Sequence, residues 1–174
     1  MLQLVLPSIE YEKSFREAAE EFRNAEKKMG VENSLVRRLN ESADFTAFVE
    51  KLREEAEGKS LPEGYVPHTV FWLVYGKELI GWLNIRHRLN DHLLEVGGHI
   101  GYTIRPSERR KGYGTKILAL ALSEAKKLGI KRVRITCNDD NIGSRKIIEK
   151  NGGIFDGMAA TPEGIVIRRY WIAL

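Results

Sequence analysis

The segment IRPSERRKGYGTK, residues 104–116, is the part of the sequence from which the fold can be worked out. A β-rich stretch ends at Ile104, Pro106 removes a backbone donor, and an apolar helical pattern begins near Gly112. The first turn of a helix leaves N–H groups unpaired and carries the positive end of the helix dipole, so such a junction can bind an anion. Glycines at 112 and 114 allow a phosphate to approach closely. The segment therefore predicts a pyrophosphate site.

The order of residues in this segment narrows the kind of pyrophosphate. A P-loop requires G-x-x-x-x-G-K-[ST], which is absent, and a dinucleotide fingerprint requires a third glycine where Ile117 stands. The pattern that fits is [R/Q]-x-x-G-x-G, formed by Arg109, Gly112 and Gly114.

The apolar periodicity before this segment predicts two helices and a β-rich centre. The first helix runs from about residue 9 to residue 29 and ends at Gly30, and the second begins near Ser42. Residues 57–67 have loop composition, and residues 68–87 read as a hairpin around a Gly-Lys turn. Residues 92–104 are predicted as a strand, although three glycines in it indicate a bulge or a close backbone approach.

The sequence after the segment completes an α/β chain. A helix over residues 112–128, a strand over 131–137, a short helix capped by Asn141 and a final strand over 165–173 follow in turn. The predicted order is β-α-α-β-β-β-α-β-α-β-β, a mixed sheet with helices on both faces. A single domain spanning residues 1–174 fits this length.

Two motifs together resemble the GNAT (Gcn5-related N-acetyltransferase) superfamily. The glycine pattern matches its acetyl-CoA signature, and the N-x-x-S sequence from Asn141 to Ser144 stands where the helix after the next strand opens. The predicted strand order agrees along the whole chain. The resemblance implies the acyl-CoA N-acyltransferase fold and acetyl-CoA as cosubstrate.

The resemblance also implies a role for particular residues. The pyrophosphate is expected on the backbone N–H groups from 109 to 115, and the pantetheine arm on backbone groups of the preceding strand. Polar side chains at the start of the following helix are expected along the CoA. The expected cofactor-binding residues are Thr103, Ile104, Arg109, Arg110, Lys111, Gly112, Tyr113, Gly114, Thr115, Asn138, Asn141 and Ser144.

The catalytic groups are less regular than the cofactor motif. Many family members carry a tyrosine seven residues after the asparagine, and here that position is Ile148. Tyr102 or Tyr113 could replace it, although a role in packing or in lining the CoA site explains both better. A base is needed because an amine such as lysine arrives protonated. Glu95 and His99 lie four residues apart, on one face of an unbroken strand, and are the candidate bases.

Composition limits the alternatives. The net charge of +4 is not concentrated enough for a dedicated nucleic-acid binder, so RNA or ribosome association is a minor alternative. No apolar run approaches a membrane span, the first residues lack a secretion signal, and the single cysteine suits the cytoplasm. The four histidines show no metal-ligand spacing, so no metal is expected. The leading hypothesis is acetyl transfer to a small-molecule or peptide amine, with a possible homodimer; the alternative is a non-catalytic acyl-CoA sensor.

Overall fold

A computed structural model describes residues 1–29 and 33–174. The N-terminal third of the chain contains β1 (Leu2–Val5), a 3-10 turn (Ile9–Tyr11), α1 (Glu12–Met29), α2 (Ser34–Glu41) and α3 (Phe45–Ala56). The hairpin β2 (His68–Tyr75) and β3 (Glu78–Arg86) leads to a π-helical turn (Leu93–Gly97) and β4 (Ile100–Ile104). After a 3-10 turn (Pro106–Glu108) come α4 (Tyr113–Lys127), β5 (Arg132–Asn138), α5 (Ile142–Lys150), β6 (Ile154–Ala160) and β7 (Val166–Ala173).

The strands form two antiparallel sheets. One has the order β1-β2-β3-β4, and the other has the order β5-β7-β6. Helices α1 to α3 cover one face of the larger sheet with an aromatic core in which the Phe15 ring lies 4.9 Å from Trp72 and 5.3 Å from Trp82, between centroids. Helices α4 and α5 cover the other face, where Ile117 and Ile148 are fully buried. The predicted α/β class, with helices on both faces, is confirmed.

The N-terminal region has one more helix than predicted. Asn33 caps α2 by accepting hydrogen bonds from the Leu35 and Val36 amides at 3.0 and 3.4 Å. Asp44 caps α3 through the Ala47 amide, so that helix starts at Phe45 rather than near Ser42. The predicted helix end at Gly30 lies outside the described residues.

The prediction of a continuous strand over residues 92–104 is wrong. Only Ile100–Ile104 is extended, and the preceding residues form the π-helical turn. The carbonyls of this turn accept hydrogen bonds from distant side chains: Arg134 Nε donates to Leu94 O at 3.0 Å, and Thr136 Oγ1 donates to Val96 O at 3.1 Å. Tertiary contacts therefore hold a conformation that the local pattern does not indicate.

Candidate active site

In the described residues, hydrogen bonds between His99 and Arg134 join the two sheets, which separate beyond them. The His99 amide donates to the Arg134 carbonyl at 2.7 Å, and the Arg134 amide donates to His99 Nδ1 at 2.9 Å. Gly98 makes this approach possible, since a Cβ there would lie 2.6 Å from the Arg134 carbonyl oxygen. In the described part of the chain, no ladder joins β4 to β5 after this contact. A cleft therefore opens between the strands, and we call it the split.

The phase of hydrogen bonding along β4 determines which backbone groups face the split. Arg86 N donates to His99 O at 2.8 Å, and Arg105 N donates to Ile80 O at 2.9 Å. Because antiparallel pairs alternate, the register directs the backbone groups of Gly101 and Thr103 toward β3. Those of Tyr102 and Ile104 point to the split. The Thr103 backbone, predicted to bind pantetheine, is thus directed toward β3, and that of Ile104 faces the split.

The loop between β4 and α4 has the backbone of an anion site. Gly112 adopts a φ of 83° and begins α4 without any side-chain cap. An added Cβ at Gly112 would have no neighbour within 4 Å, so the space beside the first turn is open. The amides of Tyr113, Gly114 and Thr115 occupy the first turn of α4, where N–H groups have no intrahelical acceptor. Arg110, which precedes them, has a positive φ of 65° although it is not glycine.

The basic side chains of this loop are mostly engaged within the protein. Arg105 Nε donates to Glu21 at 2.8 Å, and Lys111 Nζ donates to Glu108 at 3.0 Å. Arg109 Nε donates to the Ile104 carbonyl at 3.1 Å, and its backbone amide donates to Pro106 O at 3.3 Å. Arg109 and Lys111, which were predicted to bind the cofactor, therefore already have hydrogen-bond partners within the protein. The open groups are the first-turn amides and the exposed Arg110.

Glu21 connects this loop to α1. Its carboxylate accepts hydrogen bonds from the Ser107 amide at 3.0 Å and from Arg105. Burial tends to raise the pKa of Glu21, but the hydrogen bonds from Ser107 and Arg105 outweigh it and lower the pKa below its ordinary value. The start of the loop is thus fixed by an ionised carboxylate.

Gly114 has a packing role that the motif alone does not indicate. A Cβ there would lie 2.5 Å from Ile147 Cδ1, so Gly114 lets α4 approach α5. Asn151 Nδ2 strengthens the same contact by donating to Thr115 O at 3.3 Å and to Ile147 O at 2.8 Å. The two glycines of the motif therefore differ: Gly112 permits a backbone conformation, and Gly114 permits helix packing.

The start of α5 lies across the split from β4. Asn141 Oδ1 caps the helix by accepting from the Ser144 amide at 2.9 Å, and Asn138 is exposed at the end of β5. Ser144 Oγ lies 2.9 Å from the Tyr102 hydroxyl. Burial raises the pKa of Tyr102 to about 12, against a smaller lowering by Ser144. This hydroxyl pair bridges the split. The sequence indicated Tyr102 and Ser144 separately, but not their contact.

Ile148 has a purely apolar side chain. It is fully buried in the core beside α4, so the position that carries a tyrosine in many family members is used here for packing. The hydroxyl groups of Tyr102 and Ser144, by contrast, border the split.

His99 is part of the contact between the sheets. Its Nδ1 accepts the Arg134 amide, so in the neutral ring the proton resides on Nε2. Burial lowers the pKa of His99 to about 4, a smaller contribution from the Arg134 backbone raises it, and the nearby Arg86 charge lowers it further. At neutral pH His99 is an uncharged structural histidine whose acceptor nitrogen is occupied.

Glu95 lies apart from His99. It is exposed on the π-helical turn and forms an ion pair with Arg169 of β7. The expectation that Glu95 and His99 share one face of an unbroken strand is wrong, because the turn separates them. The geometry brings neither to the Tyr102–Ser144 pair.

A cavity of about 740 Å³ opens on the α2 side of the larger sheet. Its walls come from α2, the loop before β2, strands β2 to β4 and the π-helical turn. Gly101, Tyr102 and Thr103 belong both to this wall and to β4, so the cavity reaches the strand that borders the split. In residues 1–29 and 33–174, no three His, Cys, Asp or Glu side chains converge to hold a metal. No helix in that part is long and apolar enough to cross a membrane.

Comparison with known families assigns the class of protein. The profile described as "Acetyltransferase (GNAT) domain" matches residues 16–154, which is most of the chain. The protein therefore belongs to the GNAT acetyltransferase family, as the two motifs predicted. Acetyl transfer is thus its class of reaction.

Solved structures agree at the level of the fold. The microcin C7 self-immunity acetyltransferase MccE, solved with acetyl-CoA and AMP, has a TM-score of 0.70 at 16% identity, over 99% of this chain and 92% of that one. A Salmonella typhimurium acetyltransferase that modifies the N-terminal serine of ribosomal protein L7/L12 has a TM-score of 0.69 at 15% identity, covering 99% and 95%. Mycobacterium smegmatis RimJ, solved with CoA-disulfide, has a TM-score of 0.66 at 19% identity, covering 99% and 81%. No curated protein sequence matches this chain.

Proposed function

We propose that this protein transfers the acetyl group of acetyl-CoA to a primary amine by direct attack in a ternary complex. The observation that carries the proposal is the position of β4. Its open edge faces the split, beside the first turn of α4, and its residues 101–103 line the 740 Å³ cavity. A donor in the split and an acceptor in the cavity can therefore meet at one strand.

The donor is acetyl-CoA, and the described groups suggest how it binds. The amides from 111 to 115 hold the pyrophosphate, with Arg110 beside them. The Tyr102 carbonyl and the Ile104 amide pair with the pantetheine arm in the manner of an added strand. Asn138, Asn141 and Ser144 lie along the same side. The Tyr102 amide points into the split, where it stabilises the thioester oxygen as negative charge develops.

The leaving thiolate receives its proton from the Tyr102–Ser144 pair. The amine nitrogen forms a bond to the thioester carbon, the carbon–sulfur bond breaks, and sulfur takes the electron pair. Ser144 Oγ–H or Tyr102 Oη–H protonates the sulfur, and the hydrogen bond between them allows the proton to be replaced from the partner. A thiol pKa of ~8.5 makes this assistance modest in size.

The proton of the amine leaves through water in the cavity. The structure gives no support to His99 as base, because its Nδ1 is occupied and its pKa lies near 4. Glu95 is similarly engaged by Arg169. A solvent route needs neither residue, and it predicts activity that rises with pH as the acceptor amine loses its proton.

The acceptor is a small molecule or a peptide with a free amine. The family membership and the size of the cavity are consistent with both, and one structural neighbour acts on a protein N-terminus. A cytoplasmic location and a homodimer remain predictions from the sequence. The competing function, an acyl-CoA sensor without turnover, is tested by the same assay.

The Tyr102→Phe variant tests the proposed chemistry. Free thiol release from acetyl-CoA is measured against a panel of amines, and the variant is expected to lose about tenfold or more in kcat because the thiolate loses its donor pair. The affinity for acetyl-CoA, measured by calorimetry, should change little.

Tyr113→Phe is the matched control, since its hydroxyl has no hydrogen-bond partner in the described residues. Equal kcat for wild type and Tyr102→Phe would contradict the role of the pair, and CoA binding without turnover by the wild type would favour the sensor.

A further inference from the structure

Arg86 lies in the wall of the cavity, at the end of β3. Its Nη1 donates to the carbonyls of Gly97 and Gly98 at 3.2 and 2.9 Å. These carbonyls immediately precede His99, the point at which the two sheets join and the split begins. The guanidinium is therefore placed at the end of the cavity where the reaction is proposed to occur.

Arg86 differs from the other partly or fully buried arginines in having no carboxylate partner. Arg38 pairs with Glu55 at 2.5 Å, Arg105 pairs with Glu21 at 2.8 Å, and Arg134 pairs with Asp156. Within the described ranges, no carboxylate lies at ion-pair distance from Arg86. The two glycine carbonyls accept the hydrogens of Nη1. The donors on Nε and Nη2 have no acceptor among the residues that the structure describes.

An uncompensated cation in such a position is costly to maintain. Burial lowers the pKa of the Arg86 guanidinium, and a nearby Tyr65 opposes this lowering only in part. Buried charges are normally paired, so a protein that leaves one unpaired in a cavity gains when a ligand supplies the opposite charge.

The rest of the cavity wall favours the same kind of ligand. Three arginines line it, at positions 37, 38 and 86, against a single carboxylate at Glu63 among the described lining residues. Glu63 is exposed at the rim. The planar donor fork of an arginine matches an oxyanion with two oxygens, such as a carboxylate or a phosphate.

We propose that Arg86 binds an oxyanion carried by the amine acceptor, so that the substrates are amines that also bear a carboxylate or phosphate group. This inference rests on the proposed function, because it assigns the specificity of the same cavity. An α-amino acid, a peptide with an acidic residue near its amino terminus and an aminoalkyl phosphate all carry these two groups a few bonds apart. Simple polyamines lack the anion.

Matched acceptor pairs test the proposal. Each of a set of amino acids is compared with its amide, and O-phosphoethanolamine is compared with ethanolamine, by kcat/KM. Wild-type enzyme is expected to favour the anionic member of at least one pair by about 10- to 100-fold, the range of a charge-assisted hydrogen-bond pair. The amino-acid pairs and the phosphate pair distinguish the two sources of the oxyanion.

Three variants separate recognition from folding. Arg86→Gln is expected to reduce the preference to about onefold, and Arg86→Lys is expected to restore part of it. Arg88→Gln makes the same charge change two residues away, at an exposed position outside the cavity wall, and should keep the full preference. Calorimetry with acetyl-CoA verifies that each variant is folded. Equal use of neutral and anionic amines by the wild type, or a preference that survives in Arg86→Gln, overturns the proposal.

A binding measurement keeps the proposal testable if no amine is acetylated. N-acetyl amino acids, their amides and inorganic phosphate are titrated into the CoA complex of wild type and Arg86→Gln. Tighter binding of an anionic probe to the wild type supports the proposal even though the proposed function has failed. Identical titrations for the two proteins with every probe overturn it. Failure to bind acetyl-CoA contradicts the proposed function alone, and the same probes are then titrated into the free protein.

Discussion

Two pairs of glycines flank β4, and each pair contains one residue with a positive φ. Gly98 has a φ of 68° and Gly112 has a φ of 83°. Their companions Gly97 and Gly114 have no positive φ, and each faces the end of a flexible side chain, Leu93 or Ile147, 2.5 Å from an added Cβ. The pairs are alike in having one glycine with a positive φ, but they differ in what surrounds that residue.

The surroundings reveal different roles. Gly98 is pressed against the backbone of β5, with the Arg134 carbonyl oxygen 2.6 Å from an added Cβ. Gly112 has no atom within 4 Å of the same position. A glycine that fits against another strand fixes the structure, whereas a glycine beside open space at a helix start leaves room for a ligand. The first closes the contact between the sheets, and the second keeps the anion site accessible.

The Gly98→Ala variant should have the largest effect on stability. The backbone at Gly98, with φ 68° and ψ −176°, belongs to a region that essentially only glycine adopts, and the added methyl group meets a backbone carbonyl that cannot move aside. We expect a loss of about 3 kcal/mol or more in the free energy of unfolding, measured by denaturant titration. Gly97→Ala is the control and should lose about 1 kcal/mol, because the Leu93 side chain can rotate. Equal losses in the two variants would contradict the role of Gly98.

The His99→Gln variant tests the other half of the sheet contact through pH. The folded-state pKa of His99 is about 4, below the ordinary value of 6.5, so the unfolded chain binds a proton between these pH values and the folded chain does not. Stability from this residue is complete above pH 6.5 and is lost as pH falls toward 4. From pH 7 to pH 4, wild type should lose about 2 to 3 kcal/mol more than His99→Gln.

The control for this measurement is the exposed His92. His92→Gln makes the same substitution at an exposed position outside the sheet contact, and its stability curve is measured beside those of wild type and His99→Gln. Parallel stability curves for wild type and His99→Gln would show that His99 takes up its proton in the folded state, and would reopen its assignment as a catalytic base.

The parts of the fold with long apolar stripes could be predicted from the sequence, and the parts held by long-range contacts could not. The hairpin, α1, α3 and α4 follow from periodicity because their apolar stripes are long. The short helix α2 was missed, since only Leu35, Val36 and Leu39 are buried along it. Residues 92–99 were wrongly predicted as strand because carbonyls among them accept hydrogen bonds from Arg86, Arg134 and Thr136. These partners lie 11 to 40 residues away, and the local sequence pattern does not show such contacts.

The site also contains residues that the local sequence indicates and residues that only the folded structure shows. The loop from Arg109 to Thr115 was recognisable because its signal is local: a strand, glycines and a helix start. The choice between Tyr102 and Thr103 as the group facing the split depends on the register with β3, so sequence could not make it. The Tyr102–Ser144 contact joins residues 42 positions apart. The sequence placed Arg86 near the substrate pocket, but its lack of a carboxylate partner among the described residues is a property of the folded cavity.

The Gly112→Asn variant should have the smallest effect on stability and gives the sharpest test of the open space. Asparagine tolerates the left-handed conformation, and nothing in the described protein meets its Cβ, so the free energy of unfolding should fall by about 1 kcal/mol or less. Acetyl-CoA affinity, measured by calorimetry, should nevertheless weaken by about tenfold or more, because the new side chain occupies the space of the phosphate.

Gly129→Asn, at the other end of α4, is the matched control, with a φ of 81° and nothing within 4 Å of its added Cβ. It should have the same small effect on stability and none on acetyl-CoA. If Gly112→Asn binds acetyl-CoA as tightly as this control does, the phosphate does not lie beside Gly112, and the two glycine pairs differ in packing alone.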